Sequence, residues 1–111
     1  MASLYITEFQ ALGQAGLPTN GYGPNGPTQA AQQPPVAADQ AVAIAAGSTA
    51  SAAFNAATVL VRLHTDSVCS ILFGQPGATP TALTTSARMT AGQTEYFGVL
   101  PGMKVAVIAN T

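Results

Sequence analysis

Residues 58–73 read Thr-Val-Leu-Val-Arg-Leu-His-Thr-Asp-Ser-Val-Cys-Ser-Ile-Leu-Phe, and their alternation sets the fold class. Val59, Val61 and Leu63 fall on one face of an extended chain, and Leu60, Arg62 and His64 on the other, because successive side chains of a strand point to opposite sides. After Thr65-Asp66 the pattern resumes, with Cys69, Ile71 and Phe73 opposed to Val68, Ser70 and Leu72. The two runs predict a pair of half-buried strands joined as a hairpin.

The same period continues toward the C-terminal side. Thr94, Tyr96 and Gly98 alternate with Glu95, Phe97 and Val99; Pro101-Gly102 supplies a sharp turn; Met103, Val105 and Val107 then alternate with Lys104, Ala106 and Ile108. Ala87-Arg88-Met89 is a shorter strand candidate, set off from residues 58–73 by the turn-rich Gly74–Pro80. Upstream, Val42, Ile44 and Ala46 alternate with Ala41, Ala43 and Ala45, which makes Val36–Ala46 a strand despite an alanine content that favours helix. Ala50–Ala53, leading into Phe54, reads as a short continuation beyond a bend at Gly47-Ser48. Six to eight short strands spaced by turns, with no convincing helix, predict an all-β chain. The expected architecture is a single β-sandwich of jelly-roll type.

The N-terminal third reads differently. Leu4–Phe9 (LYITEF) has the β-branched and aromatic content of a strand. It is followed from Gly13 to Pro35 by five Gly and five Pro with no charged residue, a composition of turn formers. A stretch of that length exceeds what a compact domain normally tolerates. The expectation is therefore an extended strand and Gly/Pro-rich arm over residues 1–35, ordered by a partner, and a β-sandwich body over residues 36–111. Leu4, Tyr5, Ile6, Phe9 and Tyr22 are the candidate interface residues of that arm.

Composition narrows the function. The chain has 111 residues, enough for one modest core. Only 6% of them are charged, against roughly 25% in ordinary soluble domains. Thirteen Thr, eight Gln, six Ser and four Asn, with 22 Ala, must supply the surface, leaving it neutral and weakly hydrated. Such a surface suits contact with other protein. Three scattered cations, Arg62, Arg88 and Lys104, and a net charge of −1 give counterion release little to act on, so nucleic acid and anionic membrane are not expected partners. No apolar run reaches a membrane-spanning length and residues 1–9 lack the features of a signal peptide, so a soluble protein made in the cytoplasm is expected.

The chemistry-bearing residues make no constellation. Gly21-Tyr22-Gly23-Pro24-Asn25-Gly26 matches a dinucleotide-binding motif by letter, but Pro24 and Pro27 preclude the helix such a site must open. Pro24–Pro27 is a formal Pro-x-x-Pro without a basic neighbour. His64, Asp66 and Cys69 form a loose cluster; Cys69 shares the core face with Ile71 and Phe73 and reads as a buried, inert thiol. Glu8, Asp39, Asp66 and Glu95 are scattered. The chain is expected to be no enzyme, with no catalytic residue, cofactor or metal.

Four segments carry a resemblance: MASLYITEF at residues 1–9, SAAFN at 51–55, LVRLHTDSVCSILFG at 60–74 and RMTAGQTEYFGVLPGMKVAVI at 88–108. Together they resemble the small capsid decoration, cement or staple proteins of short-tailed double-stranded DNA bacteriophages. The likeness spans most of the chain and is weakest in the Gly/Pro stretch. It implies a β-sandwich or jelly-roll subunit on the outer capsid surface of the virion, tying major capsid protein subunits together as a homodimer or other homo-oligomer. A carbohydrate- or receptor-binding module of a phage head or tail fibre is the alternative, with Tyr5, Tyr22 and Tyr96 as its available aromatic platforms. A small hydrolase built on His64 is the third.

Overall fold

The structure is a computed structural model that describes residues 2–9, 12–13, 31–32 and 39–110. The described residues form strands, turns, bends and irregular chain, with no helix. Ten strands follow in chain order: β1 Ser3–Phe9, β2 Leu12–Gly13, β3 Ala31–Gln32, β4 Gln40–Ala43, β5 Thr49–Ala50, β6 Leu60–Thr65, β7 Cys69–Gly74, β8 Ala87–Met89, β9 Thr94–Gly98 and β10 Lys104–Ala109. Eight of them make two antiparallel sheets, sheet 1 in the order β4-β1-β6-β9 and sheet 2 in the order β5-β10-β7-β8, while β2 and β3 pair as a small ribbon.

One core joins the two sheets. Leu4 and Ile6 of β1, Val42 of β4, and Val61 and Leu63 of β6 meet Cys69 and Ile71 of β7, Met89 of β8, and Val105 and Val107 of β10. Leu4, Ile6, Val61, Leu63, Val105 and Val107 are fully excluded from solvent, and burying side chains of this size contributes about 1.5–3 kcal/mol each. Phe73 lines the interior between Phe54 and Phe97, with ring centroids 6.5 and 5.0 Å away. The inward sets are those that the alternation predicts in β4, β6, β7 and β10. Val59 is the exception, half-exposed just ahead of β6.

The tertiary pairing departs from the sequence reading in two places. β6 and β7 are not a hairpin: β6 pairs with β1 and β9, and β7 with β10 and β8. The chain crosses from one sheet to the other at Asp66–Val68, where Thr65 Oγ1 donates to Ser67 O at 2.6 Å and accepts from Ser67 N at 3.2 Å. Alternation reports which face of a strand is buried and is silent on its neighbour, so a corner and a hairpin look alike in sequence. Connections also change sheets between β4 and β5, β5 and β6, β8 and β9, and β9 and β10.

The second departure concerns the N-terminal strand. β1 is not an arm apart from the body. It lies inside sheet 1, hydrogen-bonded to β4 on one side and to β6 on the other, with Ile6 level with Gln40 and Leu63. Leu4, Ile6 and Phe9 are therefore core rather than free interface, and the division at residue 35 does not separate β1 from the strands it pairs with. The physical reason is that an apolar alternating strand gains more from two sheet neighbours and a shared core than from solvent. Most of the Gly/Pro stretch lies outside the described residues; its flanks pair, Leu12 with Gln32 and Gly13 with Ala31.

Turns close the rest. Gly92 and Gly102 adopt φ of 81° and 85°, a left-handed conformation that glycine enters without a Cβ penalty. Gly102 completes the Pro101-Gly102 turn expected from the sequence.

Candidate interaction surface

The two sheets expose their outer faces differently. On sheet 2, residues 75–86 cross the outward side. Ala82 N donates to Ser48 Oγ at 2.8 Å, Lys104 Nζ to Thr79 Oγ1 at 3.1 Å, and Asn110 Nδ2 to Thr84 O at 2.9 Å and to Ser70 Oγ at 2.7 Å. Ser70 and Ala106, which alternation turns away from the core, are buried as a result, as is Ala82 itself.

On sheet 1 the outward positions of β1, β6 and β9 form two rows. Tyr5, His64 and Thr94 lie level in one, and Thr7, Arg62 and Tyr96 in the next. Tyr5 and Tyr96 are 44% and 52% exposed, large values for strands in the middle and at the edge of a packed sheet. The His64 ring is tilted against Tyr5 at 6.5 Å between centroids, and His64 Nδ1 shares a 2.7 Å hydrogen bond with Thr94 Oγ1. The face therefore presents two phenols, an imidazole, a guanidinium and two threonine hydroxyls on one sheet. Tyr5 and Tyr96 sit two strands and two residues apart, about 12 Å from strand spacings of about 4.8 Å and rises of about 3.4 Å per residue.

Of the five expected interface residues, only Tyr5 lies on this face. Leu4 and Ile6 point into the core, Phe9 is buried, and Tyr22 lies outside the described residues. Arg62 and Thr94 are singled out by no reading of the sequence, Tyr96 only as an aromatic platform of the carbohydrate-binding alternative and His64 only for the hydrolase. Their shared parity along β6 and β9 was readable; that β1 lies beside β6 was not.

Glu8, one of the four acids that the sequence leaves scattered, acquires partners in the fold. Its position on β1 turns it inward, and it is 3% exposed. Glu8 Oε1 accepts from Asn55 N and from Thr58 Oγ1, both at 2.7 Å, and Oε2 accepts from Gln40 Nε2 at 3.1 Å. Gln40 Oε1 in turn accepts from Ala52 N at 2.9 Å. The carboxylate fastens β1 to β4 and to residues 52–58, and the buried donors around it are all used. This is a structural clamp: charge-assisted hydrogen bonds of this kind are about twice as strong as neutral ones.

The loose His64, Asp66 and Cys69 cluster disperses. His64 stands on the outer face, Asp66 Oδ1 accepts from Ser3 N at 2.7 Å, and Cys69 is buried with its thiol 3.5 Å from Thr65 Oγ1. Burial pushes the Cys69 thiol above its ordinary value, opposed in part by the Thr65 hydrogen bond. Among the described residues no three His, Cys, Asp or Glu side chains are placed to hold a metal ion. No known family model, curated protein or solved structure matches the chain.

Proposed function

We propose that the protein is a structural component of a phage virion that binds the outer capsid surface and bridges major capsid subunits, without catalysis or cofactor. The observation that carries this reading is the surface: 6% charged residues, with Tyr5, Val59, Leu72, Leu83, Tyr96 and Leu100 all exposed by more than two fifths. A weakly charged chain with large exposed apolar groups is poorly suited to life as a concentrated free monomer and well suited to burial against protein neighbours. The resemblance to capsid decoration proteins supplies the kind of neighbour.

The strand orders support a jelly roll. β4-β1-β6-β9 facing β5-β10-β7-β8, with the chain changing sheets at nearly every connection, matches a jelly roll whose closing strand comes first in the chain. In this reading the outer face of sheet 1 makes the lattice contact through Tyr5, Arg62, His64 and Tyr96. Binding the assembled shell more tightly than loose subunits stabilises the shell by mass action, and many weak contacts across it add through avidity.

The test is co-sedimentation of the purified protein with assembled shells of the same phage, paired with a density map of the intact particle. Binding that Arg62→Ala and Tyr96→Ala each weaken at least tenfold is expected; no binding to shells, or density only inside the particle, overturns the reading. The alternative of a carbohydrate- or receptor-binding module draws on Tyr5 and Tyr96 sharing one face. Specific hits on a glycan array, lost in Tyr96→Ala, would put it first.

A further inference from the structure

We infer that the outer edge of β9 is a docking site for an extended segment of a partner protein, which adds to sheet 1 as one more strand alongside Thr94–Gly98. This rests on the reading of the chain as a binder of other protein and names the form of the segment bound. One arm of its test involves no capsid, so the two can fail separately.

The hydrogen-bond parity of sheet 1 carries the inference. β6 and β9 run antiparallel, with Leu60 level with Gly98, Arg62 with Tyr96 and His64 with Thr94. At the two ends of this ladder Thr65 N donates to Gln93 O at 3.1 Å and Val99 N to Val59 O at 2.9 Å. In an antiparallel pair, residues that exchange backbone hydrogen bonds alternate with residues that exchange none. Gln93 and Val99 therefore mark the odd-numbered residues of β9 as those bonded to β6. Thr94, Tyr96 and Gly98 turn their N–H and C=O groups the other way. β9 is the last strand of sheet 1, so that other way is the edge. The parity of β6 agrees, since its even-numbered side faces β1, where Asp66 N donates to Ser3 O.

Of the four edge strands of the two sheets, β9 is the longest and the most open. β5 has two residues and β8 three. The edge of β4 is partly used by the chain itself: Ala45 O, just past its end, accepts from Ala109 N, and Gln40 Oε1 accepts from Ala52 N. On β9, by contrast, Thr94, Glu95, Tyr96 and Gly98 are all exposed, and a Cβ built on Gly98 meets nothing within 4 Å. The run Thr-Glu-Tyr-Phe-Gly carries neither the Lys nor the Pro that commonly guards an edge. Alternate residues of a strand recur about every 7 Å, and donors and acceptors at that spacing are complementary to the backbone of another strand.

The side chains say what kind of strand fits. Residues directly opposite across an antiparallel pair lie side by side on one face. Glu95 is exposed, and its partner on β6 is the apolar Leu63. A Lys or Arg opposite Glu95 gives it a charge partner, while an acid there is repelled. Tyr96, on the open face, suits a β-branched or aromatic neighbour. The segment that fits is extended, without Pro where it pairs, basic on the side of Glu95 and apolar on the side of Tyr96.

Gly98→Pro tests this directly. The proline ring replaces the N–H that faces the edge and leaves the Val99 bond to Val59 in place, the one strand setting in which Pro is tolerated. Gly98→Ala keeps the N–H and fills open space. In the parent chain alone, the amides of Thr94, Tyr96 and Gly98 should exchange with solvent quickly and those of Glu95 and Phe97 slowly; slow exchange at the first three overturns the inference. On shells, those three should slow by about tenfold or more. Gly98→Pro should bind shells about tenfold more weakly, and Gly98→Ala like the parent. The three amides staying fast on shells, or a folded Gly98→Pro binding like the parent, overturns the inference. If the proline unfolds the chain, the exchange of the parent on shells decides alone. If the parent binds no shells, the capsid reading fails and a blocked Thr-Lys-Val-Lys-Val-Lys-Thr peptide at up to about 10 mM decides. Slowing of the three amides, weaker when Glu replaces Lys, supports the site; no slowing, or equal slowing by both peptides, overturns it.

Discussion

The outer faces of sheet 1 and sheet 2 start from the same strand alternation and end as different surfaces, one partly covered by its own loop and the other not. On sheet 2 the cover is partial: the outward residues Ser70 and Ala106 are small and residues 75–86 lie over them, fixed through Ser48, Thr79, Thr84 and Asn110, while Leu72, level with Ala106, stays 42% exposed. On sheet 1 the outward residues include Tyr5, Arg62, His64 and Tyr96, too large to lie beneath a close-fitting loop. A strand's polar-facing side is thus not solvent-facing by rule. Small residues such as Ser70 and Ala106 let the chain's own loop lie close over part of a sheet, while larger outward residues, Leu72 of sheet 2 among them, stay open to solvent.

Four measurements test the difference between the two sheets. The inner face of sheet 1 calibrates it: Ile6→Ala, at a position fully excluded from solvent, should destabilise by about 2–5 kcal/mol in denaturant unfolding, through lost burial and a cavity. A loss under about 1 kcal/mol would contradict the placement of β1 in the core.

The cover of sheet 2 comes next. A Cβ on Gly74 would sit 2.7 Å from Pro80 Cδ, so Gly74→Ala must displace the base of residues 75–86. A loss of about 1–3 kcal/mol is expected, as for overpacked sites generally, with increased binding of an apolar dye. An unchanged dye signal would mean that the loop is not what seals this face.

Cys69, on the inner side of sheet 2, adds a pH dependence. Its proton is held more tightly in the folded chain than in the unfolded one, so the corresponding stability is fully present below the ordinary thiol range, about pH 8.5. It is lost as pH rises above that range. Unfolding free energy should fall across the alkaline range more steeply in the parent chain than in Cys69→Ala; equal slopes would contradict a buried thiol.

The smallest effect belongs to the open face. Tyr96→Ala should change stability by no more than about 0.5 kcal/mol, because the ring is half in solvent, while weakening binding to shells. A large stability loss with binding intact would reverse the roles assigned to the two faces.

The strands themselves were largely legible. Val61 and Leu63, Cys69 and Ile71, and Val105 and Val107 are buried as their alternation requires, because each local pattern reports which side of its own strand is apolar. The candidate surface was much less legible. Tyr5 could be singled out on β1, but its neighbours His64 and Arg62 come from β6, more than fifty residues away, and Tyr96 from β9. The Glu8 clamp was hidden for the same reason: Gln40, Asn55 and Thr58 surround it only after folding.

Periodicity and composition are local properties, so an all-β chain, the inward residues of its main strands and its low charge follow from the order of the residues alone. Tertiary packing fixed that β6 and β7 part at a corner, that Leu4–Phe9 is an interior strand and that residues 75–86 cover Ser70 and Ala106 while Tyr5 and Tyr96 stay exposed. Those outcomes depend on which strands become neighbours, and that choice is made by the summed burial and hydrogen bonding of both partners, which neither strand encodes alone.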